Sequence, residues 1–374
     1  MDNILLSSAL AFIITFFSIP VIIQVAKEKK LFDEPDERKV HKTVIPTLGG
    51  LGIFGGFIIA CLICTPPSLV GQLQFFAAAS VVIFFLGLKD DILVISASKK
   101  FIGQLIAAGI IIKFGGIQIN NMGGFLGITE IPSFAGIILT LFTIIVITNS
   151  FNLIDGVDGL AGSLGLLTTL VFGTYFYMIG ELGFSVMAFS LAGSIISFLI
   201  YNFSPAKIFM GDTGSLLLGL INSILVIKFI NVAGNAEGQL GLESAPAIGF
   251  AILIIPLVDT LRVFGLRILD RRSPFSPDRN HVHHFLLDLG FSHKQITLTC
   301  VSTNIVFIAM AYFFRSLGTT TVIGILLITS LGLISIIYYL RQKSRQIFVV
   351  KKKEQGMIKR HTVLSLVPES VEAE

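Results

Sequence analysis

Long apolar runs separated by short polar segments occupy most of the chain. About eleven of them approach the roughly 20 residues that a bilayer crossing needs. They cover 4–26, 47–65, 72–88, 101–114, 133–149, 160–179, 183–201, 214–231, 246–261, 295–314 and 320–340. The longest polar stretches are 27–46, 262–294 and the tail after 341, and no soluble domain or 20–50-residue repeat is visible. The pattern predicts an all-α, polytopic integral membrane protein. A membrane domain over 1–340 carries its active site on loops, and a basic tail follows over 341–374. The first run has only Asp2 before it and Lys27, Lys29 and Lys30 after it, the flanks of a retained first span rather than of a signal peptide.

Composition removes the alternatives. Of 374 residues, 53% are apolar and 13% charged, with a mean hydropathy of +0.87. A soluble chain carries about 25% charged residues. A water-soluble enzyme, a disordered chain and a nucleic-acid-binding domain are excluded. Cys61, Cys64 and Cys300 lie in apolar runs and are expected to be core or lipid-facing residues.

Charge then sets an orientation. With eleven crossings, 24 of the 27 Lys and Arg fall on one side, leaving Lys113, Lys228 and Arg315 on the other. Positive charge marks the cytoplasmic side. The N-terminus is therefore expected outside and the C-terminus in the cytoplasm. The same side holds all six His and nearly every Asp, so chemistry is expected on that face alone.

Five inner segments carry that chemistry. The first runs from Asp33 through Arg38, Lys39, His41 and Lys42 to Gly49-Gly50, where paired glycines allow close backbone approach. The second places Asp90-Asp91 at a span end, with Lys99 and Lys100 across a short loop. Adjacent carboxylates at a membrane boundary are costly unless they meet a cation, and carboxylates suit Mg²⁺ or Mn²⁺. The third holds Asn152, Asp155 and Asp158, whose three-residue spacing predicts one face of a helical turn. The fourth frames Asp212 with Gly211, Thr213, Gly214 and Ser215 at the start of a span. Asp212 suits a helix cap, a metal ligand or both, and helix-start N–H groups suit a phosphate. The fifth places four Arg and three His between Arg267 and His284. His281 and His284 suit a shared helix face. Zinc would need further N or S ligands, so the arginines favour anionic phosphates. For each segment the plain alternative is a solvated, charged loop. Taken together they supply acidic metal ligands, cationic phosphate ligands and titratable histidines, the combination that phosphoryl transfer uses.

Asp33 to Gly50, Asp90-Asp91, Asn149 to Gly162, Phe209 to Ser215 and Pro277 to His284 resemble, in order, the motifs of the polyprenyl-phosphate N-acetylhexosamine-1-phosphate transferases, glycosyltransferase family 4. The resemblance covers roughly residues 1–340. The Arg38-Lys39-Val40-His41 entry and the His-x-His-His run look like the branch acting on UDP-GlcNAc. The branch acting on UDP-MurNAc-pentapeptide has three consecutive His.

The resemblance implies an enzyme of the bacterial plasma membrane that starts a cell-envelope polysaccharide. Undecaprenyl phosphate attacks the β-phosphorus of a UDP-N-acetylhexosamine, UMP leaves, and Mg²⁺ or Mn²⁺ is required. It also implies roles. Asp212 and Asn152 ligate the metal, Asp158 contacts uridine, and Asp90 and Asp91 position or deprotonate the lipid phosphate. Lys100, Arg279, His281, His283, His284, His41 and Lys42 bind substrate, with His281 among the catalytic residues. Asp155 is a nucleophile in a two-step scheme or an electrostatic residue in a one-step scheme. A homodimer is the expectation from relatives. A different UDP-sugar is the nearest alternative. A transporter would instead place charges at mid-membrane and repeat its halves.

Overall fold

Every one of the eleven apolar segments is helical in the computed structural model, which describes residues 2–29, 31–33, 45–65, 70–234, 241–272 and 280–364. The helices are α1 Asp2–Glu28, α2 Gly49–Cys64, α3 Val70–Leu93, α4 Ala97–Lys113, α5 Ser133–Ile154, α6 Leu160–Met178 and α7 Leu182–Asn202. They continue with α8 Gly211–Ala233, α9 Ala245–Ile252, α10 Ile254–Leu269, α11 Val282–Asp288, α12 His293–Phe313 and α13 Thr319–Leu364. Among the described residues, eight helices are long and apolar enough to cross a membrane. The α9–α10 pair makes a ninth if its two halves form one span. The expected segments 47–65 and 101–114 form the shorter α2 and α4, of 16 and 17 residues.

Helices in lipid gain little from hiding apolar surface against one another, so close approach through small residues does the packing. A Cβ at Gly193 of α7 would lie 2.2 Å from the Ser8 carbonyl of α1. At Gly50 of α2 it would lie 2.2 Å from the Gly214 nitrogen of α8. The most enclosed spans are α7 and α8, and α8 packs against α2, α3, α5 and α6. Cys61, Cys64 and Cys300 are buried and unpaired, in keeping with the core role expected of them.

Pro20 lies inside α1 and Pro256 in the first turn of α10, and each leaves the carbonyl four residues earlier without an N–H partner. Pro20 of α1 frees the Phe16 carbonyl, which accepts a 3.3 Å hydrogen bond from the Tyr201 hydroxyl of α7. Pro256 frees the Ile252 carbonyl, where the helix breaks and bends by 83° between α9 and α10. The Asn304 amide of α12 donates to Ile252 at 3.0 Å, and its oxygen accepts from the Ile255 N–H at 3.4 Å. The unbroken segment expected over 246–261 is thus two helices stitched by an asparagine.

Helix α13 runs past the apolar segment 320–340 and on to Leu364 through a stretch without proline. The loop between α4 and α5 is a small antiparallel hairpin, β1 Asn121–Phe125 with β2 Ile128–Glu130. The Thr320 hydroxyl at the start of α13 accepts a 2.7 Å bond from the Leu126 N–H. Replacing Asn304 by Leu should leave two backbone groups unsatisfied in the core and cost about 1–2 kcal/mol. A lowered thermal unfolding midpoint in detergent is the expected readout.

Candidate functional site

Four helix ends meet at one place. The C-terminal ends of α3 and α5 bring Asp90, Asp91 and Asn152, and the N-terminal ends of α4 and α8 bring Lys100 and Asp212. Helix C-termini favour cations, and the Lys100 ammonium sits among them. It lies 3.1 Å from Asp90 Oδ2, 3.3 Å from Asn152 Oδ1, and in contact with Asp212 Oδ2. The Asn152 amide donates to Asp212 Oδ1 at 2.7 Å and to Ser215 Oγ at 3.0 Å. Asp90 Oδ1 accepts from the Ile95 N–H at 2.7 Å and orders the α3–α4 turn.

Adjacent Asp90 and Asp91 have different surroundings. Asp91 caps α8 from outside it. Its carboxylate accepts from the backbone N–H groups of Asp212 at 2.7 Å and Thr213 at 3.0 Å, and from the Thr213 hydroxyl. The cap that Asp212 seemed suited to provide therefore comes from α3, and it occupies helix-start N–H groups that otherwise suit a phosphate. Glycine makes the approach possible. Gly211 has φ +70°, and a Cβ there would lie 2.7 Å from both Asp91 oxygens. A Cβ at Gly87 would lie 2.5 Å from the Thr213 Cα.

The expected acidic stripe is not one helix face. Helix α5 ends at Ile154, Asp155 follows it, and Gly159 turns the chain at φ +75° into α6. Asn152 stays with the Lys100 cluster. Asp155 stands half-buried at the helix end. Burial, then the nearby charges of Asp212, Asp91 and Asp158, push its carboxyl up to about 8. Asp158 is buried, with Oδ2 accepting from the Ala206 N–H at 3.1 Å and Oδ1 3.2 Å from His293 Nδ1.

The histidine run docks against this loop. His281 precedes α11 rather than sharing a helix face with His284. Its ring stacks parallel to that of His283 at 5.6 Å, and His284 lies 4.3 Å from His283. His283 packs so closely on Gly156 that a Cβ there would lie 2.6 Å from its Nε2. Burial, then the neighbouring His284, pushes the His283 ring down to about 3, so it is neutral, and its buried Nδ1 has no hydrogen-bond partner. Three further residues hold this half together. Asp259 reaches His281, Arg262 reaches Asp259, and His293 reaches Asp158. Among these, an Asp within an expected span was the available signal for Asp259. His41, Lys42 and Arg279 lie outside the described residues.

The oxygens of Asp90, Asp212 and Asn152 are the donors that suit a hard divalent ion. No group of three His, Cys, Asp or Glu among the described residues is arranged to hold a metal by itself. Mg²⁺ does not require one, since it is commonly held by one or two carboxylates, waters and substrate phosphates. The donor set fits on that basis.

Carboxylates thus gather around one ammonium, and the imidazole run docks on the loop that follows α5. The chain belongs to glycosyl transferase family 4, which it matches over residues 73–230. It is 34% identical over 313 residues to the decaprenyl-phosphate N-acetylglucosaminephosphotransferase of Mycobacterium leprae, covering 77% of this chain and 78% of that protein. It is 30% identical over 332 residues to the probable undecaprenyl-phosphate N-acetylglucosaminyl 1-phosphate transferase of Bacillus subtilis, covering 84% and 87%. It is 29% identical over 277 residues to the undecaprenyl-phosphate alpha-N-acetylglucosaminyl 1-phosphate transferase of Escherichia coli, covering 73% of each.

The capping geometry yields a contrast between neighbours. Asp91→Ala should lower stability by about 0.5–2 kcal/mol, the range for a lost cap. Asp90→Ala should cost less, because it releases one backbone N–H and leaves Lys100 with Asn152 and Asp212. Thermal unfolding of the two purified variants checks this, and an equal or reversed order would remove the capping role from Asp91.

Proposed function

We propose that this chain transfers N-acetylglucosamine-1-phosphate from UDP-GlcNAc to undecaprenyl phosphate and releases UMP. A lipid phosphate oxygen forms a bond to the β-phosphorus of the nucleotide sugar. The bond from that phosphorus to the bridging oxygen breaks, and its electron pair leaves on UMP. The lipid phosphate, with a second pKa of about 6, is largely dianionic at neutral pH and is already a nucleophile. A single displacement therefore needs no enzyme-bound phosphoryl group.

The observation that carries this reading is the convergence of Asp90, Lys100, Asn152 and Asp212 on one point. Lys100 supplies a fixed positive charge for a phosphate, Asp90 and Asn152 hold that ammonium in place, and Asp91 keeps Asp212 at the rim. His284, half-exposed on α11, presents an imidazole beside the acidic loop. Asp212 and Asn152 would hold Mg²⁺ or Mn²⁺, which neutralises charge on the transferring phosphates. The acceptor and sugar classes come from the relatives, which act on decaprenyl or undecaprenyl phosphate and N-acetylglucosamine by their names.

The same proposal sets the chain in a bacterial plasma membrane with eleven crossings. The N-terminus is outside, and the site and C-terminus face the cytoplasm. Its support is the 24-to-3 division of Lys and Arg between the two sides. Both clusters sit on helix ends that this division puts inside.

Purified protein in detergent, given UDP-GlcNAc, undecaprenyl phosphate and Mg²⁺, should release UMP only when all three are present. Release without lipid phosphate would indicate hydrolysis. Release with another UDP-N-acetylhexosamine alone would change the sugar. Asp212→Asn should abolish turnover in protein that still reaches the membrane folded, and near-normal activity in that variant would remove its metal role.

A further inference from the structure

The Asp259 carboxylate lies in the apolar run Ile254-Ile-Pro-Leu-Val-Asp-Thr-Leu, at the middle of α10. Its side chain is 3% exposed. A buried carboxylate in such a setting is costly unless several donors meet it. Three do. Oδ2 lies 2.9 Å from Nδ1 of His281. Oδ1 accepts from the Val282 N–H at 3.0 Å and from the Arg262 guanidinium at 3.0 Å. One carboxylate thereby fixes a ring nitrogen and the first backbone N–H of the helix that carries the other histidines.

Asp259 is itself held from behind. Arg262 also donates to the Asn280 carbonyl, and its guanidinium lies 5.3 Å from the Phe285 ring of α11. Arg341 of α13 lies 4.4 Å from the same ring and pairs with Asp288 at 2.6 Å. Phe285 is held between two guanidiniums, so α10, α11 and α13 meet around it. His281 therefore has little freedom to rotate, and its ring is 5% exposed.

We propose that Asp259 is a positioning residue for His281, holding Nδ1 so that Nε2 is the atom presented to the phosphates of the nucleotide sugar. A carboxylate on one imidazole nitrogen fixes the ring's orientation and supports the doubly protonated ring, whose Nε2–H is the donor that a phosphate oxygen accepts. The two oxygens divide the work, Oδ2 meeting the ring and Oδ1 the Val282 N–H, and Asp259→Asn keeps an oxygen for the latter. This inference rests on the transferase reading above and adds a residue to it.

The test is a double-mutant cycle in the full-length protein, with UDP-GlcNAc, undecaprenyl phosphate and Mg²⁺. Asp259→Asn should lower kcat by about 10–100-fold, the scale of loss seen when the carboxylate behind a metal-bound histidine is changed. KM for UDP-GlcNAc should change by less than about threefold, because the lost interaction belongs to the transition state. Asp259→Asn combined with His281→Ala should be no slower than His281→Ala alone. A purely structural aspartate would displace all of α11, so its loss would multiply with that of His281. That multiplication, or an unchanged kcat in Asp259→Asn, would overturn the proposal. If Asp259→Asn does not fold, Asp259→Glu keeps the charge for Arg262 and moves the carboxylate by one methylene. The same cycle and the same readings then apply. A wild-type protein that releases no UMP would sink the transferase reading and this inference with it. An active wild type with an additive cycle would sink this inference alone.

Discussion

The site depends on one ammonium held by oxygens from three helices. Lys100 comes from the start of α4, Asp90 from the end of α3, Asn152 from the end of α5 and Asp212 from the start of α8. Each partner alone would be a desolvated polar group at a membrane boundary. Together they satisfy one another, so the four helix ends are fixed by a single polar contact set. Carboxylates still outnumber the cation there, since Asp90 and Asp212 both meet the one ammonium. A hard divalent ion, if it joins the site as proposed, is the kind of cation that such oxygen donors select.

A second device recurs at different scales. Where a helix begins or breaks, its orphan backbone groups are met by a side chain from another helix. Asp91 does this for α8 and Asp259 for α11. Tyr201 does it behind Pro20, and Asn304 does it behind Pro256. In water such groups would find solvent. In hydrocarbon they must find protein, so each irregularity ties two helices together. The irregular places are therefore the well-anchored ones, and the candidate site residues Asp212, His281 and His283 stand at two of them.

Much of this was legible in the residues. Apolar runs report their own length, so all eleven helical segments were visible without tertiary information. Asp90 and Lys100 were linked because they lie ten residues apart across a short loop. The meeting of Asn152 with Asp212 was not, since 60 residues separate them and only the packing of α5 on α8 joins them. Pattern also could not separate Asp90 from Asp91. Adjacent carboxylates look alike until one proves to face the backbone of another helix. The stripe from Asn152 to Asp158 was misread as a helical face because a three-residue period does not reveal that the helix ends at Ile154. Asp259 was signalled only as one acid inside an otherwise convincing span, which does not reveal its partners. His41, Lys42 and Arg279 lie outside the described residues, so their candidacy rests on the motifs alone.

The close fit of Gly156 against His283 has a consequence for how the molecule is made. Translation runs from the N-terminus, and early segments can settle before later ones exist. Every member of the Lys100 cluster has been synthesised once Ser215 has left the ribosome. The histidines follow some 70 residues later, and Arg341 later still. The acidic half is thus available as a finished surface on which α11 lands. A bulkier residue at position 156 would spoil the landing without disturbing what was already built, leaving a membrane bundle with half a site.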